Sequence, residues 1–248
     1  MNPDAYLQMA DVEARHWWYV ARRTILGHII KAMGLPAQAR ILELGCGTGG
    51  NLQMLSAHGK VSALELDATA HAIALRKAGG QCDVRAGNFP GDNPFADNKF
   101  DLICLFDVLE HLDQDVEALS AAKQLLSPGG RILLTVPAYQ WLWSTHDVFL
   151  HHKRRYSAAE LLVKVRASSL YPRRITHFNT LLFPLAVLVR LHERIFNLQQ
   201  AAGADIPPSL INRLFQKIFA SERYLLQLFS LPFGVSLLAV LGTEPEAA

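Results

Sequence analysis

The stretch HDVFLHHKRRYS, residues 146–157, packs three histidines, an aspartate, three consecutive basic residues and a tyrosine into twelve positions. Imidazole exchanges protons near neutral pH, carboxylate orients imidazole, and guanidinium holds anions. Such a run can be a catalytic loop, a metal site, a nucleic-acid contact or a solvated turn, and its spacing alone leaves all four open. For a metal, His146, Asp147, His151 and His152 offer ligand types. His-x4-His-His is not a recognised ligand spacing, however, and no metal is expected. A nucleic-acid contact would want a larger basic surface with exposed aromatics, so no nucleic-acid partner is expected either.

A second stretch, ILELGCGTGGN (41–51), has a different chemistry. An apolar run ends in Gly45, Cys46, Gly47, Thr48, Gly49 and Gly50, where glycine permits a tight turn and close approach of a ligand to the backbone. Gly45, Gly47 and Gly50 also satisfy GxGxxG, and Glu65 lies twenty positions after Gly45, where a carboxylate can accept from both ribose hydroxyls. A dinucleotide and S-adenosylmethionine are both served so far. Glu43, two residues before the first glycine, discriminates: a carboxylate repels a pyrophosphate and suits the positive amino group of a methionine moiety.

The elements that must position these residues alternate. Apolar runs at 39–45, 61–67, 82–89, 100–107 and 131–138 read as strands, and the segments between them read as helices, which predicts crossover units and a mainly parallel sheet. Residues 4–33 read as one helix before the first strand. A helix is expected from Ser157, a strand over 173–178 and a last strand over 235–242. Residues 179–233 exceed what a minimal sheet needs. Over 209–229, Ile211, Leu214, Phe215, Ile218, Phe219, Leu225, Leu226 and Phe229 fall on or near one helical face.

Composition sets outer bounds. Half of the 248 residues are apolar and the net charge is +2, too mild to imply nucleic acid. The charge is uneven: 12 basic and 16 acidic residues lie in 1–147, against 12 and 6 in 148–248. A basic, apolar C-terminal part predicts contact with an anionic acceptor or a membrane surface. Cys46, Cys82 and Cys104 are scattered and odd in number, which predicts a reducing, cytoplasmic setting. The start MNPDAY lacks the pattern of a signal peptide. The uncharged stretch Ile175 to Val189 is fifteen residues and holds a proline. A spanning helix needs about 20.

Four blocks together resemble the class I S-adenosylmethionine-dependent methyltransferases: ELGCGTG, ALELD, GNFPGDNPFADNKFDLICLFDVLEHL and LLSPGGRILLTVPA. They come in that family's order, within residues 39–138. The resemblance implies an α/β, Rossmann-like seven-stranded sheet with the last strand antiparallel, within one domain over 1–248. A helical lid (1–36) would precede an α/β core (37–178 and 234–243), and a helical insertion (179–233) would interrupt it before the last strand. By position, Glu43 and the loop Gly45, Cys46, Gly47 and Gly49 would line the methionine and ribose of S-adenosylmethionine. Glu65 would bind the ribose diol and Leu66 would pack on the adenine. Asn88 and Phe89 stand where the family often has an aspartate at the adenine amino group. Phe106 and Asp107 would face the methionine end, with Asp107 a helix cap as its bland reading, and Glu110 and His111 follow.

Within that family, a bacterial type 11/12-like group carries similar HWW(F/Y)xxRR and HDxxxxHxRRY segments. By that resemblance Trp18, Tyr19 and Arg22 would cover the methionine, with Arg22 pairing its carboxylate, and the 146–157 loop would line the acceptor pocket. His146 is then the first candidate base and His152 the second, oriented by Asp147. His111, Arg154, Arg155 and Tyr156 would hold a polar or anionic acceptor. The greasy, basic insertion suits a small or lipid-like acceptor, with the protein peripheral at the inner face of a membrane. The competing readings are a cofactor-binding member without catalysis, an RNA methyltransferase and a nicotinamide-dependent oxidoreductase.

Overall fold

The computed structural model describes residues 3–196 and 205–245. Seven strands form its centre: β1 (Arg40–Leu44), β2 (Lys60–Glu65), β3 (Asp83–Ala86), β4 (Phe100–Phe106), β5 (Leu126–Pro137), β6 (Tyr171–Phe178) and β7 (Ser236–Gly242). They lie in the order β3-β2-β1-β4-β5-β7-β6. The first five pair in parallel, and β7 runs antiparallel between β5 and β6. The expected seven-stranded sheet with an antiparallel last strand is therefore present. The strand order reverses between β1 and β4, and the crevice beyond their carboxyl ends is where open α/β sheets bind ligands.

The central strands read as unbroken apolar runs because both faces are covered. In β4, Leu102, Cys104 and Phe106 join one core cluster while Ile103 and Leu105 join the other. Helix α2 (Trp17–Ala32) covers the first face with Ile25, Leu26, Ile29 and Ile30. On the opposite face lie α5 (Asp115–Gln124), with Ala118, Leu119 and Ala122, and α7 (Ala158–Ala167), with Leu161 and Val165.

Several elements differ from expectation. The first 33 residues form two helices, α1 (Pro3–Val12) and α2. The break falls where Glu13 turns inward to Thr48 and where the His16 side chain accepts from Trp18 N at 3.2 Å, capping α2. The third strand stops at Ala86, and Asn88 N instead donates to Asp92 O. The 146–157 stretch is partly helical: α6 (Thr145–Phe149) starts with a capping box between Ser144 and Asp147. Helices α3 (Leu52–Ser56) and α4 (Ala68–Ala78) follow β1 and β2, and Asp67 caps α4 by accepting from Thr69 N and Ala70 N.

The insertion holds α8 (Phe183–Ile195) and α9 (Ser209–Leu228). The buried side of α9 carries Asn212, Phe219, Ala220, Glu222 and Leu226, whereas Ile211, Leu214 and Phe229 are exposed. Two polar residues thus sit inward beside Phe219 and Leu226 of the expected apolar face. The reason is backbone capture: Asn212 bonds Arg15 O and Trp17 N, and Glu222 accepts from Leu181 N at 2.7 Å. Among the described residues no helix is long and apolar enough to cross a membrane.

Candidate active site

The glycine loop leaves β1 with three residues in the left-handed region: Gly45 (φ 70°), Gly47 (φ 55°) and Gly49 (φ 80°). At Gly45 space is also lacking, because a Cβ there would lie 2.8 Å from Val108 Cγ2. Gly45 N and Cys46 N donate to Leu64 O, which ties the loop to β2. At the end of β2, Glu65 accepts from Gly47 N at 2.7 Å and from Asp67 N at 2.8 Å. Its carboxyl is raised by burial against these bonds. Leu66, next along, is 67% exposed and offers an apolar platform, with Phe89 buried and Asn88 exposed on the neighbouring turn.

Glu43 is buried at the same edge. One carboxylate oxygen accepts from Asn51 Nδ2 at 2.8 Å, and the other has no hydrogen-bond partner. Burial pushes its pKa up to about 8. An orphaned buried carboxyl oxygen beside a bare backbone loop fits a cationic amino group and a close-lying ribose. These residues therefore fit S-adenosylmethionine.

Three residues of this rim, Glu13, Met9 and Tyr6, carried no local sequence signal. Glu13 accepts from Thr48 Oγ1 at 2.9 Å and pairs with Lys77, and Met9 Cε lies 3.2 Å from the Cβ position of Gly47. Tyr6 stands near Glu65 and Asp67, and burial together with their charges pushes its phenol up. Helix α1 thus lies over the glycine loop, so the covering segment begins before the predicted Trp18, Tyr19 and Arg22.

Those three sit at the end of β4. The Arg22 guanidinium is 2.7 Å from Asp107 Oδ2 and donates to Thr135 Oγ1 at 2.8 Å. It lies 4.9 Å from the Trp18 ring and 5.5 Å from the Phe106 ring. Its Nε is buried without a partner. Tyr19 packs edge-on against Trp18, and burial raises its phenol to about 12. Asp107 has φ 56°, an uncommon conformation for a non-glycine residue. It caps no helix; its carboxylate is taken by Arg22 and Thr135.

The 146–157 loop reaches the same edge. Fully buried Asp147 accepts from Arg155 Nε at 2.8 Å and Nη2 at 3.0 Å, and from His152 Nδ1 at 2.9 Å. Burial alone would raise this carboxyl, but the bonds from His152 and Arg155 hold it well below the usual range. His152 Nε2 then points to Glu110 Oε1, 3.9 Å away, and its ring meets that of His111 at 4.8 Å. Glu110 is fully buried, with its proton affinity raised by burial and by Asp107. His111 is pushed down to about 4 by burial and by His152.

The structure thus brings His152, Asp147, Arg155 and His111 together and adds Glu110. His146 stands apart, beside Arg190 of α8, and burial and that charge lower it to about 4. Arg154 and Tyr156 turn away from the site to Asp115, at 2.9 and 3.0 Å, where Lys164 joins them. Arg155 is likewise spent, on Asp147 and on Ala138 O. All three side chains already have partners within the protein. Past β5, a group of rings that spacing did not single out stacks up: Tyr139 on His177 (5.2 Å) and on Trp141 (5.7 Å), with Phe183 against Tyr139 and Phe233.

Comparison with known proteins bears on the family and the fold. A family model described as a methyltransferase domain matches residues 8–181. A demethylmenaquinone methyltransferase of Lactiplantibacillus plantarum is 28% identical over 76% of this chain and 83% of its own. A ubiquinone biosynthesis O-methyltransferase of Aromatoleum aromaticum is 26% identical over 54% of this chain and 63% of its own. Among solved structures, the methyltransferase in a complex with a Haloferax volcanii methyltransferase activator superposes with a TM-score of 0.63 at 20% identity, over 99% of this chain and 96% of that one. A geranyl diphosphate C-methyltransferase from Streptomyces coelicolor gives 0.58 at 16% identity, over 88% and 80%. The chain belongs to the methyltransferase-domain family, within the class I S-adenosylmethionine-dependent methyltransferases.

Proposed function

We propose that this protein methylates a small, apolar, lipid- or prenyl-linked acceptor that carries an ionisable hydroxyl or an activated carbon. The observation that carries the proposal is the meeting of two groups at the end of β4: Arg22 with Asp107, and the Asp147–His152–Glu110 set. When bound, S-adenosylmethionine supplies an electrophilic methyl group. Glu43 receives its amino group, Arg22 and Trp18 cover its carboxylate end, and Glu65 with Leu66 takes the ribose and adenine. Alignment does most of the catalytic work in such a transfer. Where the acceptor holds a proton, His152 is the better-placed base, since Asp147 fixes its Nδ1–H and leaves Nε2 facing the site. His146, with a pKa of about 4, is neutral but a weak base.

Two observations support an apolar acceptor. The rings of Tyr139, Trp141, Phe183 and Phe233 form one wall past the sheet edge. Helix α8 has no buried residue and turns Leu188, Leu191 and Ile195 outward. The names of the two sequence relatives point the same way. A peripheral position on a membrane, with the acceptor drawn from it, follows from the same face. Incubation with methyl-labelled S-adenosylmethionine and a bacterial extract, followed by organic extraction, tests the proposal. Label is expected in the organic phase. Label confined to the aqueous phase sinks the lipid acceptor, and label destroyed by nuclease would make this an RNA methyltransferase.

A further inference from the structure

Among the described residues, Glu110, His111 and His152 bring one donor atom each to within 4.8 Å of one another. We propose that this cluster binds a divalent transition-metal cation of the zinc class beside the methyl-transfer site. The sequence hid it, because its members come from two segments forty residues apart, the turn after β4 and the loop after α6.

Glu110 is fully buried, and neither of its carboxylate oxygens has a hydrogen-bond partner. Buried carboxylates nearly always find donors, so two orphaned oxygens mark the place of a missing ligand. His152 donates its Nδ1–H to Asp147, which fixes the tautomer and leaves the Nε2 lone pair directed at Glu110. A carboxylate behind the imidazole is the arrangement that orients metal-bound histidines. Arg155 holds that carboxylate in turn. A hydrogen bond to the His151 backbone orients His111 in the same way.

Two imidazoles and one carboxylate make a ligand set used by catalytic zinc, with a fourth position open. Bonds of about 2.0–2.1 Å put tetrahedral donor atoms roughly 3.4 Å apart, so the side chains close by about 1 Å on loading.

The ion's role, though not its binding, rests on the methyl-transfer reading. An acceptor hydroxyl in the open position ionises near neutral pH because the cation stabilises its oxyanion. The proton leaves to water. The oxygen lone pair then forms the C–O bond as the S–CH3 bond breaks. In the loaded enzyme His152 is a ligand, and the ion takes over the work of a base.

The test uses the whole protein, stripped with a chelator. Calorimetric titration with Zn2+ is expected to show one ion per chain. Glu110→Gln and His152→Gln each weaken it at least ten-fold, while His192→Gln on exposed α8 leaves it unchanged. Retained binding of S-adenosylmethionine shows that each variant is folded. Should both variants unfold, Co2+ loaded into the unaltered protein gives the second reading, with the visible bands of a four-coordinate site expected. No heat with Zn2+, colourless Co2+ protein, or affinity undiminished in both folded variants overturns the site. Methyl transfer that survives complete chelation overturns the ion's role while leaving the methyl-transfer reading intact. An ion that binds where no acceptor is ever methylated condemns that reading and leaves the site standing.

Discussion

Glu43 cannot reach water, has one hydrogen bond and lies at the end of β1, just before the glycine loop. With its carboxyl raised from 4.5 to about 8 by burial, the folded protein holds a proton that the unfolded chain has released across that range. The stability this contributes is complete below pH 4.5 and is lost as pH rises through 8. Glu43→Gln removes the titration and keeps the acceptor for Asn51. In the absence of cofactor, melting temperatures of the two proteins should agree at pH 5, with the variant the more stable at pH 9. Its affinity for S-adenosylmethionine should fall by about ten-fold or more, the worth of a charge-assisted hydrogen bond. Equal pH profiles in thermal melts would show that Glu43 does not hold this proton. The residue was legible in the sequence because its message is local: a carboxylate two positions before a glycine turn. Glu13 was not, since its partners Thr48 and Lys77 lie 35 and 64 residues away. The partner of Arg154 and Tyr156 was hidden for the same reason. Spacing showed cations and a hydroxyl near a sheet edge, but not that Asp115 would claim them.

At the level of elements, the strands could be read because burial on both faces writes uninterrupted apolar runs, and the turns because glycine punctuates them. The helices of the insertion followed other rules. In α9 the inward side was set by the backbone groups that Asn212 and Glu222 capture, so counting leucines chose a partly outward side. Helix α8 is stranger, since its Arg190–Glu193 ion pair is half-buried while Leu185, Leu188, Leu191 and Ile195 are exposed. An apolar surface left outward signals contact with something apolar. Leu188→Ser with Leu191→Ser should therefore leave the melting temperature within the scatter of surface substitutions, about 0.5 kcal/mol. The same pair should abolish sedimentation with anionic lipid vesicles and lower turnover on a vesicle-borne acceptor. Unchanged sedimentation would detach α8 from any membrane role.

For the whole molecule, the sheet edge that carries the glycine loop and Arg22 is built from both ends of the chain. Arg22 reaches Asp107 only because α2 lies along the sheet, and α2 is held there by the insertion almost two hundred residues later. Asn212 donates to Arg15 O at 2.9 Å and accepts from Trp17 N at 2.8 Å, pinning the bend between α1 and α2. Trp17 packs edge-on to Phe215 and Phe219, and Phe219 stacks on Phe178 of β6. The bend carries Glu13 on one side, locked to the glycine loop, and Arg22 on the other. Asn212→Ala strands a backbone donor and an acceptor in a largely buried place, which costs about 1–3 kcal/mol. If the insertion seats α2, that loss is shared with the cofactor. Thermal melts should show the destabilisation, and titration at a temperature where the variant is fully folded should show weaker S-adenosylmethionine binding as well. A variant that melts early yet binds with full affinity would mean that the rim of α1 and α2 keeps its geometry without the insertion, and that α9 serves stability alone.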